Sequence, residues 1–284
     1  MNHKTAEHRD RPSSAPHAPF AIRRFSTKET GTSAEDQLAV EEPLEIRVEG
    51  RSVALTMRTP GHDEELAMGF LFTEGVLASI DDVLDLDTCS ATDGGPGNIL
   101  NVKLRDSSAV NLEKLSRHVF TASSCGLCGK ATIEAIRTQL PLAERKHRPL
   151  KIRPDTLLGL PSKLHAAQST FHSTGGLHAA ALFDATGSLH TVREDVGRHN
   201  AVDKVLGRLL LDRGSHHDEL GLLVSGRIAF EIVQKSLSAR ISTVAGISAP
   251  TSLAVDLARE FDQTLVGFLR GERFNLYSGQ LGQE

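Results

Sequence analysis

The sequence predicts an α/β protein in two parts, a small α+β unit followed by a layered α/β domain. Three observations lead there. Strand-type alternation gives way once to a helical pattern before Leu104, strand and helix signatures then alternate repeatedly from Leu177 to Leu269, and Gly, Pro and Asp clusters punctuate the joins.

Taken in order, residues 1 to about 35 are rich in His, Arg, Pro, Ser and Thr and poor in large apolar side chains, so they bury too little to offset ordering entropy and read as a disordered tail. A small α+β domain is expected over 36–120. Val40, Leu44, Ile46 and Val48 alternate with charged residues, Glu49-Gly50-Arg51 turns, and Val53-Ala54-Leu55 resumes, which is a hairpin. Thr59-Pro60 then supplies an N-cap and a first-turn proline. Asp63, Glu64 and Glu65 fall in the positive first turn of that helix, Leu66, Phe70 and Leu71 face inward, and Gly75 ends it. Gly94-Gly95-Pro96-Gly97-Asn98 leads into a strand over Ile99–Leu104. Residues 121–150 hold a cysteine loop and a connecting helix through Ile133, Ile136 and Leu140.

The domain over 151–284 carries the repeated alternation. Leu177–Phe183 and Leu189–Val192 flank Asp184-Ala185-Thr186-Gly187-Ser188 as a hairpin, and Val202, Val205, Leu206, Leu209 and Leu210 lie on one helical face. Strands at Leu220–Val224, Ile241–Ile247 and Thr264–Leu269 enclose helices through Ile228–Leu237 and Ser252–Phe261. Such an order implies a parallel or mixed sheet. Its ligand crevice is expected at the strand C-terminal ends, where Ser225-Gly226-Arg227, Ser248-Ala249-Pro250-Thr251 and Arg270-Gly271 converge.

Composition narrows the function. The chain has 284 residues, 39% of them hydrophobic, and a formal net charge of -4, which gives no general pull toward a polyanion, so bulk nucleic-acid binding is not expected. Three cysteines cannot staple a fold of this length and point to a reducing compartment, hence a cytoplasmic protein. Arg23-Arg24-Phe25 resembles a twin-arginine signal, but polar residues follow where an apolar stretch is required, and no run of apolar residues is long enough to span a bilayer.

Two constellations carry chemistry. Ser123-Ser124-Cys125-Gly126-Leu127-Cys128-Gly129-Lys130 places two thiols in a glycine-flanked loop or at a helix N-terminus, where backbone N–H groups and Lys130 favour the thiolate. Spacing alone leaves three readings open: nucleophilic sulfur chemistry, half of a zinc site, and a dithiol redox pair. No second C-x-x-C or paired histidines complete a zinc set; His147, His165, His172 and His178 are scattered. The other constellation, Val192-Arg193-Glu194-Asp195-Val196-Gly197-Arg198-His199-Asn200-Ala201-Val202-Asp203-Lys204, sits at a strand-to-helix junction that can hold phosphates. Its bland alternative is a helix start with internal ion pairs. No G-x-x-x-x-G-K-[ST] loop occurs, so nucleotide hydrolysis is not indicated.

From Ala39 to Tyr277 the chain resembles the FdhD/NarQ formate dehydrogenase accessory proteins. The likeness rests on Glu42-Pro43-Leu44-Glu45-Ile46, on Met57 to Ala67 with Gly69-Phe70-Leu71 and Glu74-Gly75, and on Ser124 to Gly129. It continues through Arg193 to Lys204, Ser225-Gly226-Arg227 and Thr264 to Arg270. The resemblance implies a cytoplasmic homodimer whose C-terminal part is a three-layer domain of cytidine-deaminase-like fold, without the deaminase zinc signature. It also implies that sulfur passes from a cysteine desulfurase onto the cysteine pair and on to the bis-molybdopterin guanine dinucleotide form of the molybdenum cofactor, for use by formate dehydrogenase. Carried over, Cys125 bears the persulfide, Cys128 is its relay partner, and Thr264, Leu265, Val266, Gly267, Phe268 and Leu269 line the cofactor site. Cofactor contacts from Arg198, His199, Asn200, Ser225, Gly226, Arg227 and Arg270 extend this from charge and placement. GDP is the expected surrogate for half of the cofactor.

Overall fold

Alternation of side chains builds the first sheet. Leu44, Ile46 and Val48 of β3 (Glu42–Val48) are buried on one side, and Glu49 and Gly50, both at positive φ, turn the chain into β4 (Arg51–Arg58). The computed structural model describes residues 15–27, 29–89, 97–106, 150–212 and 219–282. Within them β5 (Val83–Cys89) and β6 (Ile99–Leu104) complete a four-stranded sheet in the order β4-β3-β6-β5, with β6 parallel to β3 and the other pairs antiparallel.

Helix α1 (Asp63–Thr73) lies on the buried face of that sheet through Leu66, Ala67, Met68 and Leu71. It starts later than Thr59-Pro60 implies. The residue before it, His62, adopts a left-handed backbone and gives no side-chain cap, while Asp63 is held by the buried Arg58, whose guanidinium spans its carboxylate at 2.9 and 2.8 Å. Phe70 is only half-buried, and Gly75, at φ 73°, follows the C-terminal turn as expected.

Residues read as a tail turn out otherwise in part. β1 (His17–Ser26) and β2 (Glu29–Ala39) form a separate two-stranded antiparallel ribbon. Ala18, Phe20 and Ile22 share one face of the ribbon, whose base packs against the helix over Ser169–Thr174, so order comes from that contact rather than from the apolar content of the segment itself.

The second half forms a six-stranded mixed sheet in the order β12-β11-β10-β9-β7-β8. Its strands are β7 (His178–Phe183), β8 (Leu189–Asp195), β9 (Gly221–Val224), β10 (Thr243–Gly246), β11 (Thr264–Arg270) and β12 (Arg273–Ser278). β9, β10 and β11 run parallel; β7, β8 and β12 are antiparallel to their neighbours. Helices α4 (Arg198–Leu211), α5 (Phe230–Ser238) and α6 (Ser252–Glu260) cover one face through Val202, Val205, Ile232, Val233 and Leu257. Two further helices have no counterpart in the sequence reading, α2 (Pro154–Ala167) and the short α3 (Ser169–Thr174). α2 covers the opposite face with Leu157, Leu160 and Leu164, so this half has three layers.

The halves meet where α1 crosses α4. A Cβ added to Gly69 would lie 1.9 Å from the Asp203 carbonyl oxygen, and one added to Gly207 would lie 1.8 Å from that of Glu65. The two backbones approach as closely as glycine allows.

Candidate functional site

The C-terminal ends of the three parallel strands stand side by side. Ile247 donates its backbone N–H to Val224 at 3.1 Å, and Phe268 donates to Ser248 at 3.0 Å. Phe268 holds φ at 53° to do so, a left-handed conformation unusual for a bulky residue. Ser225 also ties in the antiparallel neighbour: its hydroxyl accepts from the Ala179 N–H at 2.9 Å, which brings His178, the first residue of β7, to the end of β9. Gly226 leaves room for that ring, since a Cβ there would lie 3.2 Å from His178 Nδ1 and 3.6 Å from Arg198 Cβ.

The crevice is cationic and has unspent donors. Helices α4 and α5 open on Gly197 and Ala229, neither of which caps its amides with a side chain, so positive dipole ends flank the strand ends. Among the described residues, Arg198 Nε and His199 Nε2 are buried without a hydrogen-bond partner. Such groups are rare in native proteins, and these two donors are able to take an acceptor from a ligand. Burial, then the Arg198 charge and that of Lys235, push His199 down to about 4, and burial with the charges of Arg198 and Arg227 lowers His178. Both rings are therefore neutral near pH 7 and can donate to an anion without adding charge. A cavity of about 580 Å³ opens beside the crevice, lined by His178 and Ser225 together with Pro161, His165, Phe171 and Ile247.

The structure thus brings together Arg198, His199, Ser225, Gly226 and Arg227. Other expected contacts lie elsewhere. Asn200 is fully engaged: its amide donates to Met57 O at 2.8 Å and Asp195 Oδ1 at 3.0 Å, while its oxygen accepts from the Thr56 hydroxyl at 3.2 Å. Instead of facing a cofactor, it fastens α4 to β4. Thr264, Leu265, Val266 and Leu269 are at most 1% exposed and their side chains belong to the interior, as strand alternation on a sheet covered on both faces demands. What β11 offers a ligand is its end: Gly267, packed close to Pro250 and Tyr277, then Phe268, and Arg270 stacked on the Phe268 ring at 5.4 Å.

The rest of the 193–204 stretch is an interlobe clamp. Arg193 grips Glu65 with both ends of its guanidinium, the Nη2 bond measuring 2.7 Å. Asp195 pairs with Lys204 at 2.7 Å, the Lys204 ammonium donates to Thr59 O at 2.8 Å, and Thr59 N–H donates back to Asp195 at 3.1 Å. Glu194 accepts from the Thr170 and Phe171 amides at the start of α3. Ion pairing within the protein, the bland alternative, therefore describes Arg193, Asp195, Asp203 and Lys204, Glu194 serves backbone amides, and the crevice claims Arg198 and His199. His178 was set aside in sequence as one of several scattered histidines, because its position depends on β7 pairing antiparallel beside β9, which no local pattern announces.

Cys125 and Cys128, with the connecting helix expected after them, lie outside the described residues. Among those described, no cluster of three or more His, Cys, Asp or Glu residues can hold a metal ion, and no helix is long and apolar enough to cross a membrane.

Fold and crevice define a two-lobed α/β protein with arginine and histidine donors at the ends of its parallel strands. The chain belongs to the FdhD/NarQ family, whose profile matches residues 39–281. It is 50% identical over 248 residues to the sulfur carrier protein FdhD of Streptomyces avermitilis, a match that covers 86% of this chain and 88% of the relative. The protein of the same description from Mycobacterium tuberculosis is 46% identical, covering 90% and 95% of the two chains. A crystal structure from Desulfotalea psychrophila, described as a formate dehydrogenase accessory protein, superposes with a TM-score of 0.70 at 23% identity, covering 93% of this chain and 98% of that one, which shows a shared fold.

Proposed function

We propose that this protein is a cytoplasmic, homodimeric sulfurtransferase. It takes persulfide sulfur from a cysteine desulfurase and passes it to the bis-molybdopterin guanine dinucleotide cofactor, its substrate, before that cofactor enters apo formate dehydrogenase. The observation that carries the reading is the crevice, where Arg198 Nε and His199 Nε2, both without a hydrogen-bond partner, stand with Arg227 at two helix ends that lack side-chain caps, the Glu231 carboxylate lying 4.0 Å from the His199 ring. That donor set fits the pyrophosphate of a guanine dinucleotide. Membership of a family whose relatives are called sulfur carriers supports the remainder.

In this scheme the Cys125 thiolate attacks the outer sulfur of the donor persulfide, and the donor cysteine leaves as a thiolate. Cys128 then attacks the inner sulfur of the Cys125 persulfide. A Cys125–Cys128 disulfide forms, the outer sulfur departs as hydrosulfide with two electrons supplied by the cysteine pair, and a thiol reductant later restores both thiols. The crevice residues bind and orient the substrate and take no part in the electron balance.

Mass spectrometry after incubation with a desulfurase and cysteine should find one added sulfur on the peptide containing Cys125, and none there in Cys125→Ala. Neither Cys125→Ala nor Cys128→Ala should restore formate dehydrogenase activity, whereas both should still bind GDP. Full activity in both variants would overturn sulfur transfer and leave a cofactor-binding chaperone. By calorimetry, Arg198→Ala and Arg227→Ala should each weaken GDP binding by about tenfold or more, and affinity should fall as salt rises. GDP binding that ignores both arginines and salt would remove the crevice from the scheme.

A further inference from the structure

We propose that the cavity beside the crevice is a separate subsite that takes an uncharged, flat heterocycle by its lactam edge, with Gln168 as the residue that reads that edge. The inference deepens the functional reading above and rests on it: pterin and guanine each carry a ring N–H beside a carbonyl, and the crevice holds the phosphates between them. Apart from Ser225, the walls of the cavity lie outside every segment that carries the family likeness.

Gln168 joins α2 to α3, and its backbone is fixed on both sides: its N–H donates to His165 O and its carbonyl accepts from the His172 N–H, each at 3.1 Å. Its side chain has no such duty. Glu194 already takes the first amides of α3, those of Thr170 and Phe171, at 3.0 and 2.8 Å, so Gln168 caps nothing. The residue is 4% exposed, lines the cavity, and makes no side-chain hydrogen bond to a described residue. A buried amide in that state costs free energy until its donor and its acceptor are both met.

The other walls show what fits. Pro161, Phe171, Leu177 and Ile247 are apolar, and the His165 ring stands edge-on to Phe171 at 6.2 Å. None of the lining residues is Lys, Arg, Asp or Glu, so the cavity favours a neutral group and leaves charge to Arg198 and Arg227 in the adjoining crevice. Its volume of about 580 Å³ falls within the roughly 300–1,000 Å³ of small-molecule sites. A wholly apolar occupant would leave the Gln168 amide unmatched, and a phosphate would meet no cation. A flat ring edged by a donor beside an acceptor satisfies walls and amide together: Gln168 Oε1 accepts from the ring N–H, and Nε2 donates to the ring carbonyl. Ser225 and His178 border cavity and crevice alike, so the ring and the phosphates of one ligand can occupy both.

The test uses the full chain with inorganic pyrophosphate and GDP, followed by calorimetry, and with hydroxymethylpterin, followed by its fluorescence. Gln168→Met keeps the length of the side chain and removes the amide. It should weaken GDP or the pterin by about tenfold or more, while pyrophosphate binds as in wild type and so reports a folded variant. Loss of GDP alone assigns the ring to guanine; loss of the pterin alone assigns it to the pterin. Methylating the lactam nitrogen of each ring probe tests the wild-type protein with no substitution, and should weaken the same probe as strongly. If neither ring probe binds wild type, or if both ignore Gln168→Met and lactam methylation, the cavity reads no ring and the proposal falls. The crevice then still stands provided that pyrophosphate binding depends on Arg198 and Arg227. Pyrophosphate binding indifferent to those arginines would instead remove the crevice and leave ring recognition by Gln168 in place.

Discussion

Lys204 meets Asp195 at 2.7 Å with side-chain exposures of 1% and 0%. A charge pair this deep depends on every surrounding partner, and both members have them: Asp195 accepts from the Thr59, Gly197 and Asn200 N–H groups, and Lys204 donates to Thr59 O. Lys204→Met removes one charge and strands the other, so urea denaturation should show a loss of about 3–5 kcal/mol. Arg198→Ala, at the helix start facing the crevice, should leave the unfolding midpoint within error while GDP binding suffers. Sequence brought these residues together by adjacency and by charge but could not sort them. The sorting is helical: Asn200 and Lys204 are four apart and face the small lobe, whereas Arg198 and His199 sit at the uncapped first turn. Only knowledge of what packs on each side of α4 separates binding from clamping.

At the scale of elements, the α1–α4 crossing is where side-chain size is set by backbone contact. An added methyl at Gly69 would meet the Asp203 carbonyl and, at 2.8 Å, the Gly207 amide, neither of which can rotate away. Gly69→Ala must push the helices apart, disturbing Thr73, Asp203 and Lys235 as well, and should cost about 3 kcal/mol or more by denaturant titration. Gly159 in α2 is the control, because nothing lies within 4 Å of its added Cβ. There alanine should stabilise by about 0.5–1 kcal/mol through helix propensity and unfolded-state entropy. Equal losses at both positions would show that the crossing imposes no special limit. Neither contact was visible beforehand, since Gly69 and Gly207 sit in patterns that read simply as helix. The helices and strands of the doubly covered sheet were legible because their apolar spacing is imposed by burial. α2 carries that spacing at Leu157, Leu160 and Leu164, but Gly159 and Pro161 in its run mask it, and the polar ribbon before residue 39 lacks it.

At the scale of the whole molecule, the two halves are joined among the described residues by buried charges as well as by apolar contact, which makes stability sensitive to pH in opposite directions. Burial would raise Glu65, but the Arg193 guanidinium and His62 overcome it and hold the carboxyl at about 2. Its contribution is complete above the ordinary carboxylate range and is lost as pH falls toward 2. Asp203 behaves oppositely. Burial first, and the charge of Glu74 beside it, push its carboxyl up to about 6 even though Lys235 at 2.9 Å favours the ionised form. The folded state then holds a proton that the unfolded state has released, between the ordinary value of 3.8 and about 6. In that window this group lowers stability as pH rises, and above it the effect is constant. Asp203→Asn keeps the shape and an acceptor for Lys235 and Thr73 while removing the titration. Unfolding free energies measured by urea at intervals from pH 4 to 6.5 should therefore rise more steeply, or fall less, in Asp203→Asn than in wild type, with the curves running parallel above pH 6.5. Parallel curves throughout the window would mean that Asp203 is ionised in the folded protein and that Lys235 outweighs burial at the junction of α1, α4 and α5.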